Sequence, residues 1–143
     1  MPLDFSPLSK KALKYALRFA QQFRTELTLL HVLEPAFPPT FEGLQIVPPF
    51  PEEESSSAEK SLKALVGSAR AAGVSKVRSI FRRGLAAQEI VDAAKDLDVD
   101  LIVIATHGYT AWKHFCIGST AERAVRAAPC PVLVVREKEH EFA

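Results

Sequence analysis

The sequence lacks most of the features that would remove it from the ordinary soluble, globular class. It has only two cysteines, Cys116 and Cys130, in 143 residues, too few for a disulfide framework, and reducing compartments disfavour a bridge between them. There is no secretory h-region and no apolar run near the roughly 18 residues of a spanning helix, so no membrane partner is expected and the location is expected to be cytoplasmic. Excess charge is also missing. With 18 Lys and Arg against 17 Asp and Glu, the chain offers no electrostatic basis for a nucleic-acid partner. Its four histidines and two cysteines show no zinc-type spacing, and no metal site is assigned. A chain of this length forms one domain, residues 1–143, able to bury roughly two-thirds of its unfolded surface.

Against that background one stretch is rich in information. Leu101 to Arg126 reads LIVIATHGYTAWKHFCIGSTAERAVR, opening with apolar and β-branched residues without alternation, the pattern of a strand buried on both faces. Gly108 follows, then nine residues, then Gly118-Ser119-Thr120-Ala121-Glu122. The spacing predicts a helix capped by Ser119, with Glu122 three places on as in a capping box. Strand, glycine loop and helix start together collect unpaired amides and roughly +0.5 of dipole charge at one point. Phosphate is the natural guest of such a point, although turn and cap chemistry alone also accounts for these residues.

The rest of the chain alternates helices and strands. Ser6-Pro7 starts a helix running to about Phe23, with Leu13, Ala16, Leu17, Ala20 and Phe23 inward. Glu26 to Leu33 reads as a buried strand, and Glu34 to Pro51 carries six prolines, which excludes a regular helix there. The phenylalanines Phe37, Phe41 and Phe50 on that connection are expected to pack down as a satellite cluster. A second helix follows to about Ala72, with Leu62, Leu65, Val66 and Ala69 inward. Lys76 to Arg82 alternates as a strand near a sheet edge does. Ala86 to Leu97 is a third helix, and Val132 to Val135 a final apolar strand. Alternation of this kind predicts an α/β fold: a parallel sheet with helices on both faces and any ligand beyond the carboxyl ends of the strands.

Pro2-Leu3-Asp4-Phe5-Ser6, Leu30-His31-Val32, Thr106-His107-Gly108, Gly118-Ser119 and Ala128-Pro129-Cys130-Pro131-Val132-Leu133-Val134-Val135 together resemble the universal stress protein family over almost the whole chain. The resemblance implies a doubly wound five-stranded sheet of order 3-2-1-4-5. It also implies a homodimer through the last strand, Val132, Leu133, Val134 and Val135, and in one branch an adenine nucleotide, ATP, ADP or AMP, with or without magnesium. Carried over by position, Pro2, Leu3 and Asp4 would meet the ribose or adenine, and the Val32 backbone would read the adenine edge. Ala105 and Gly108 would line the phosphate path, and Gly118, Ser119 and Thr120 would hold the phosphates.

Two departures from the nucleotide-binding pattern stand at Ala105, in place of its first glycine, and at Ala111 within the loop. A third is larger: relatives place several apolar residues ahead of Pro-x-Asp, forming most of the central strand, whereas here only Met1 precedes it. Loss of that segment would leave unpaired amides and a void in the middle of the sheet, so either the start is trimmed or another segment, from this chain or a second one, fills the place. Three readings of function stay open: a nucleotide-binding stress-response regulator, a dimeric interaction protein without nucleotide, and a slow ATP hydrolase. The last lacks a Walker lysine and a catalytic base. No catalytic residue is assigned, and His107 is read as structural, while Tyr109, Trp112 and Phe115 serve equally as a base cover or a packed lid.

Overall fold

The computed structural model describes residues 1–35, 50, 52–106 and 117–137. Expectations for Phe37, Phe41, His107, Gly108, Tyr109, Ala111, Trp112 and Phe115 fall outside these residues.

Helix α1, Pro7–Phe23, begins where the Ser6 hydroxyl accepts the Ser9 N–H at 3.1 Å and proline takes the first helical position. It stops at Arg24, which adopts a left-handed φ of 51°. Strand β1 (Leu27–Leu33), helix α2 (Glu52–Ala71), strand β2 (Val77–Arg83) and helix α3 (Ala86–Asp96) follow, then β3 (Ile102–Ala105), α4 (Ser119–Ala127) and β4 (Val132–Val135). Each bound lies within two residues of the expectation, because the apolar periodicity of each segment switches cleanly between strand and helix.

The strands run parallel in two pairs. β1 and β2 are in register from Leu27 opposite Val77 to Leu33 opposite Arg83, and β3 and β4 from Ile102 opposite Val132 to Ala105 opposite Val135. Alternation along the strands sorts the core into two layers. Leu29, Val103 and Val135 pack with Leu13, Ala16 and Ala20 of α1 and Leu62 and Ala69 of α2 on one face. On the other face, Leu30, Ile102 and Ile104 meet Ile90, Ala93 and Ala94 of α3 and Ala121 and Ala124 of α4. The α/β class with helices on both faces is therefore present.

The five-stranded sheet is not complete. Among the described residues four strands form two separate two-stranded sheets, β1-β2 and β3-β4, and the fifth element is reduced to one parallel bridge, Pro2 opposite Leu30. Residues 1–3 pair with β1 through backbone bonds. Leu3 N–H donates to the Leu30 carbonyl at 2.8 Å, Leu30 N–H donates to the Met1 carbonyl at 2.9 Å, and the Met1 α-amine donates to the Thr28 carbonyl at 2.8 Å. Beyond Met1 lies a cavity of about 660 Å³, bordered by Ala16, Phe19, Ala20 and Phe23 of α1, Ala93, Ala94 and Leu97 of α3, and the facing edges of β1 and β3.

The cavity accounts for a second difference. Phe23, expected on the core stripe of α1, is 68% exposed, because it borders the cavity instead of a strand and has Phe19 as a stacking neighbour at 5.8 Å. Leu97, expected inward on α3, is only half-buried and borders the same cavity.

Two truncations should consequently differ. Leu29→Ala, at a side chain with no exposed surface, is expected to lower unfolding stability by about 3 kcal/mol through loss of burial and a new hole. Phe23→Ala should lower it by less than about 1 kcal/mol, both measured by urea denaturation.

Candidate functional site

The carboxyl ends of parallel strands form a rim, and each candidate residue can be located by what holds it there. At the end of residues 1–3, Leu3 is buried and its carbonyl accepts the Nδ1–H of His31 at 2.7 Å. That bond sets the histidine tautomer. The ring is flanked by Phe5 and Phe81, with centroids at 4.6 Å and 5.9 Å, so it is held on both sides. Asp4 follows, half-buried, its Oδ1 accepting the Ser6 N–H at 3.0 Å. Asp4 is thus not the cap of α1 but the residue that orients the cap, in the manner of an Asx turn. Between them Phe5 takes φ of 63°, a bend that swings the chain from strand to helix within two residues.

At the end of β1, Val32 is half-buried opposite Arg82, and the Leu33 carbonyl accepts the Gly84 N–H at 3.1 Å. Arg82 itself is engaged with Asp96 at 2.7 Å and Glu89 at 3.5 Å, and its hydrogen bond to Asp96 holds its pKa above the ordinary arginine value. Gly84 has φ of 149°, a backbone conformation strained for any residue with a side chain, and a Cβ there would also displace the Glu89 carboxylate. Glu34 then accepts the Ala86 N–H at 2.8 Å through Oε1, placing a carboxylate on the first turn of α3.

The third part is the start of α4. Thr106, buried at the end of β3, donates its N–H to the Val135 carbonyl at 3.0 Å and accepts the Gly118 N–H at 2.7 Å. This pair of bonds ties the helix start to the strand end, beside the half-buried Ala105. The cap differs from the expected one: Gly118, not Ser119, is the N-cap, with φ −61° and ψ 150° and no side-chain cap bond. Ser119 is the first helical residue and exposed, and Thr120 is half-buried. No capping box forms, because glycine has no hydroxyl to engage the following turn, and Glu122 bonds Arg126 at 2.9 Å instead. A φ of −61° is open to every residue, so backbone conformation does not explain the glycine.

The structure thus brings Leu3, Asp4, Val32, Ala105, Gly118, Ser119 and Thr120 toward the carboxyl ends of the strands, whereas Pro2, opposite Leu30 within β1, borders the cavity on the amino side, and Gly108 lies outside the described residues. Sequence reading missed His31, Glu34 and Thr106 as positioning residues. Their signal is a polar side chain ending or interrupting an otherwise apolar strand. Among the described residues no three His, Cys, Asp or Glu side chains gather as a metal site, and no helix is long and apolar enough to cross a membrane. Burial raises the Cys130 thiol above its usual pKa, so this sulfur is a poor nucleophile.

The universal stress protein family model matches residues 1–136. The chain belongs to that family. A universal stress protein of Methanocaldococcus jannaschii is 33% identical over 147 aligned positions, which span 99% of this chain and 82% of the relative. Among solved structures, a universal stress protein from Lactobacillus plantarum superposes with a TM-score of 0.81 at 26% identity, covering 94% of each chain. One from Archaeoglobus fulgidus, solved in complex with dAMP, superposes with a TM-score of 0.68 at 21% identity, covering 94% of this chain and 93% of its own. At that identity the last comparison speaks for the fold.

His31→Phe keeps the ring between its aromatic neighbours and removes the donor to the Leu3 carbonyl. It is expected to cost about 1 to 2 kcal/mol, the penalty for an acceptor left unsatisfied, read as a shift in the urea midpoint with unchanged slope.

Proposed function

We propose that this universal stress protein binds an adenine nucleotide, ATP, ADP or AMP, across the rim, and that occupancy is signalled through a homodimer formed along β4. One observation carries the binding half: among the described residues, side-chain oxygens bond first-turn or cap amides at the starts of α1 and α3, and none does so at the start of α4. α1 has Ser6 and α3 has the Glu34 carboxylate, whereas the first turn of α4 opens at Gly118 with no side-chain cap bond. Its amides and dipole are therefore available to an anion. The Ser119 and Thr120 hydroxyls add donors beside those amides, and Asp4, on the neighbouring strand end, suits a ribose hydroxyl. Family membership and the dAMP held by a relative of the same fold support an adenine nucleotide over a bare phosphate.

The dimer half rests on the edge. Pairing of Ile102 and Thr106 with the carbonyls of Pro131 and Val135 turns the backbone groups of Val132 and Val134 outward by parallel-ladder alternation. An apolar edge with outward-facing donors and acceptors is removed from aggregation when a second copy pairs with it. Leu133 and Val135 keep their backbone on the β3 side.

Isothermal titration with ATP, ADP and AMP tests the first half directly, and absence of heat with all three would end it. Gly118→Asp gives a sharper comparison. A carboxylate at the cap satisfies the same amides from within, so stability should rise by a few tenths of a kcal/mol, while nucleotide affinity drops at least about tenfold through competition and repulsion. For the second half, Val134→Pro removes an outward N–H and leaves the β3 ladder intact; sedimentation should find a dimer for the parent chain and a monomer for the variant.

A further inference from the structure

Helix α1 carries charge of one sign only. Its 17 residues, Pro7–Phe23, include Lys10, Lys11, Lys14 and Arg18 and no acidic residue. Lys10, Lys14 and Arg18 are all exposed and follow one another at four-residue steps, so they form one row about 12 Å long on the helix surface. Like charges at that spacing repel and weaken a helix. Elsewhere the chain relieves such charges within the helix: Lys95 stands 4.0 Å from Asp92 on α3, and Arg126 bonds Glu122 at 2.9 Å on α4. On α1, by contrast, none of Lys10, Lys14 and Arg18 takes part in an ion pair among the described residues. A chain with a net charge of +1 thus keeps a local positive face.

The same face is concave. A groove of about 500 Å³ is lined by Lys14 and Arg18 together with the half-buried Tyr15, Leu17 and Gln21, and reaches Ala72 at the end of α2. Gln21 Nε2 donates to the Ala72 carbonyl, which ties the ends of the two helices together and fixes the shape between them. Tyr15 and Leu17 pack against the core layer under α1, so the groove combines anchored apolar walls with mobile cationic side chains. Shape and charge discriminate among anionic partners. A bilayer needs apolar side chains to insert, yet the exposed aromatic of α1, Phe23, lies nine residues from Lys14, on the opposite side of the helix. A nucleic-acid backbone supplies phosphates but no apolar group for Tyr15 and Leu17. An acidic peptide supplies both.

We infer that the α1 groove is a docking site for an acidic segment of another polypeptide. Carboxylates of the segment meet Lys10, Lys14 and Arg18, and one apolar side chain among them rests against Tyr15 and Leu17. Docking removes the repulsion along the row, because each carboxylate stands between like charges that α1 itself leaves uncompensated. The site lies along α1 and not at the start of α4, and it does not depend on nucleotide binding.

The probe is the peptide acetyl-Glu-Glu-Leu-Glu-Glu-amide, titrated into the full chain at low ionic strength. It is expected to bind at least about tenfold more tightly than the same peptide with glutamines in place of its glutamates, and about threefold more tightly than the peptide with serine in place of leucine. Lys14→Glu and Arg18→Glu should each weaken binding about fivefold, and added salt should weaken it in the parent chain. Lys63→Glu, the same change of net charge at an exposed position of α2, should leave it unchanged. Amide chemical shifts perturbed by the peptide should centre on Lys14, Arg18 and Gln21. Equal binding of the glutamine peptide, equal weakening by Lys63→Glu, or shifts centred away from α1 would each overturn the proposal. Tighter binding, per negative charge, of phosphatidylglycerol vesicles or of a DNA duplex would overturn it as well, by giving the face to a different partner. Lys14→Glu should leave the nucleotide titration unchanged and Gly118→Asp should leave peptide binding unchanged, which separates failure here from failure of the nucleotide reading.

Discussion

Residues 1–3 reach β1 through backbone bonds at Leu3, Leu30 and Met1, each between 2.8 and 2.9 Å, and that short ladder governs both ends of the molecule. Toward the carboxyl side it delivers Asp4 and the Phe5 bend to the rim, with His31 bonding the last carbonyl and wedged between aromatic rings. Toward the amino side the Met1 α-amine reaches the Thr28 carbonyl of β1. Parallel strands draw their stability from pairing on both edges and cover on both faces, so this ladder ties the first residues to the two core layers.

The rim derives its chemistry from differences between helix starts that look alike in sequence. Ser6 and Glu34 close two of them with oxygen acceptors, and the remaining one opens at a glycine that the Thr106 carbonyl grips by its N–H. A single carbonyl thereby fixes the position of a helix dipole relative to the strand end, while among the described residues no side chain accepts from the first-turn amides beyond Gly118. Neutral residues suffice for such a site, since oriented amides supply the positive potential. This agrees with a chain whose overall charge is close to zero.

Legibility in the sequence followed the range of the interactions involved. Element order and bounds were readable, because the switch between alternating and 3.6-residue patterns is carried within each segment. So were the two core layers, with Leu29 and Leu30 pointing to opposite faces simply by adjacency. Asp4, Val32, Ala105 and Ser119 were placed near the strand ends by the family resemblance, and the structure locates them there. The cap was misplaced by one residue because Gly118 and Ser119 are both acceptable caps, and the choice turned on a hydrogen bond from residue 118 to residue 106. Phe23 was misread because helical periodicity assigns a face without knowing whether a strand lies beneath it.

By itself the sequence determined the α/β alternation, the apolar strands and the family pattern, all of which depend on neighbours a few residues apart. Only the tertiary structure decided that Glu34 closes one helix start and that α4 begins at Gly118. Those outcomes depend on which backbone donors and acceptors meet across tens of residues of separation, and no local pattern records that.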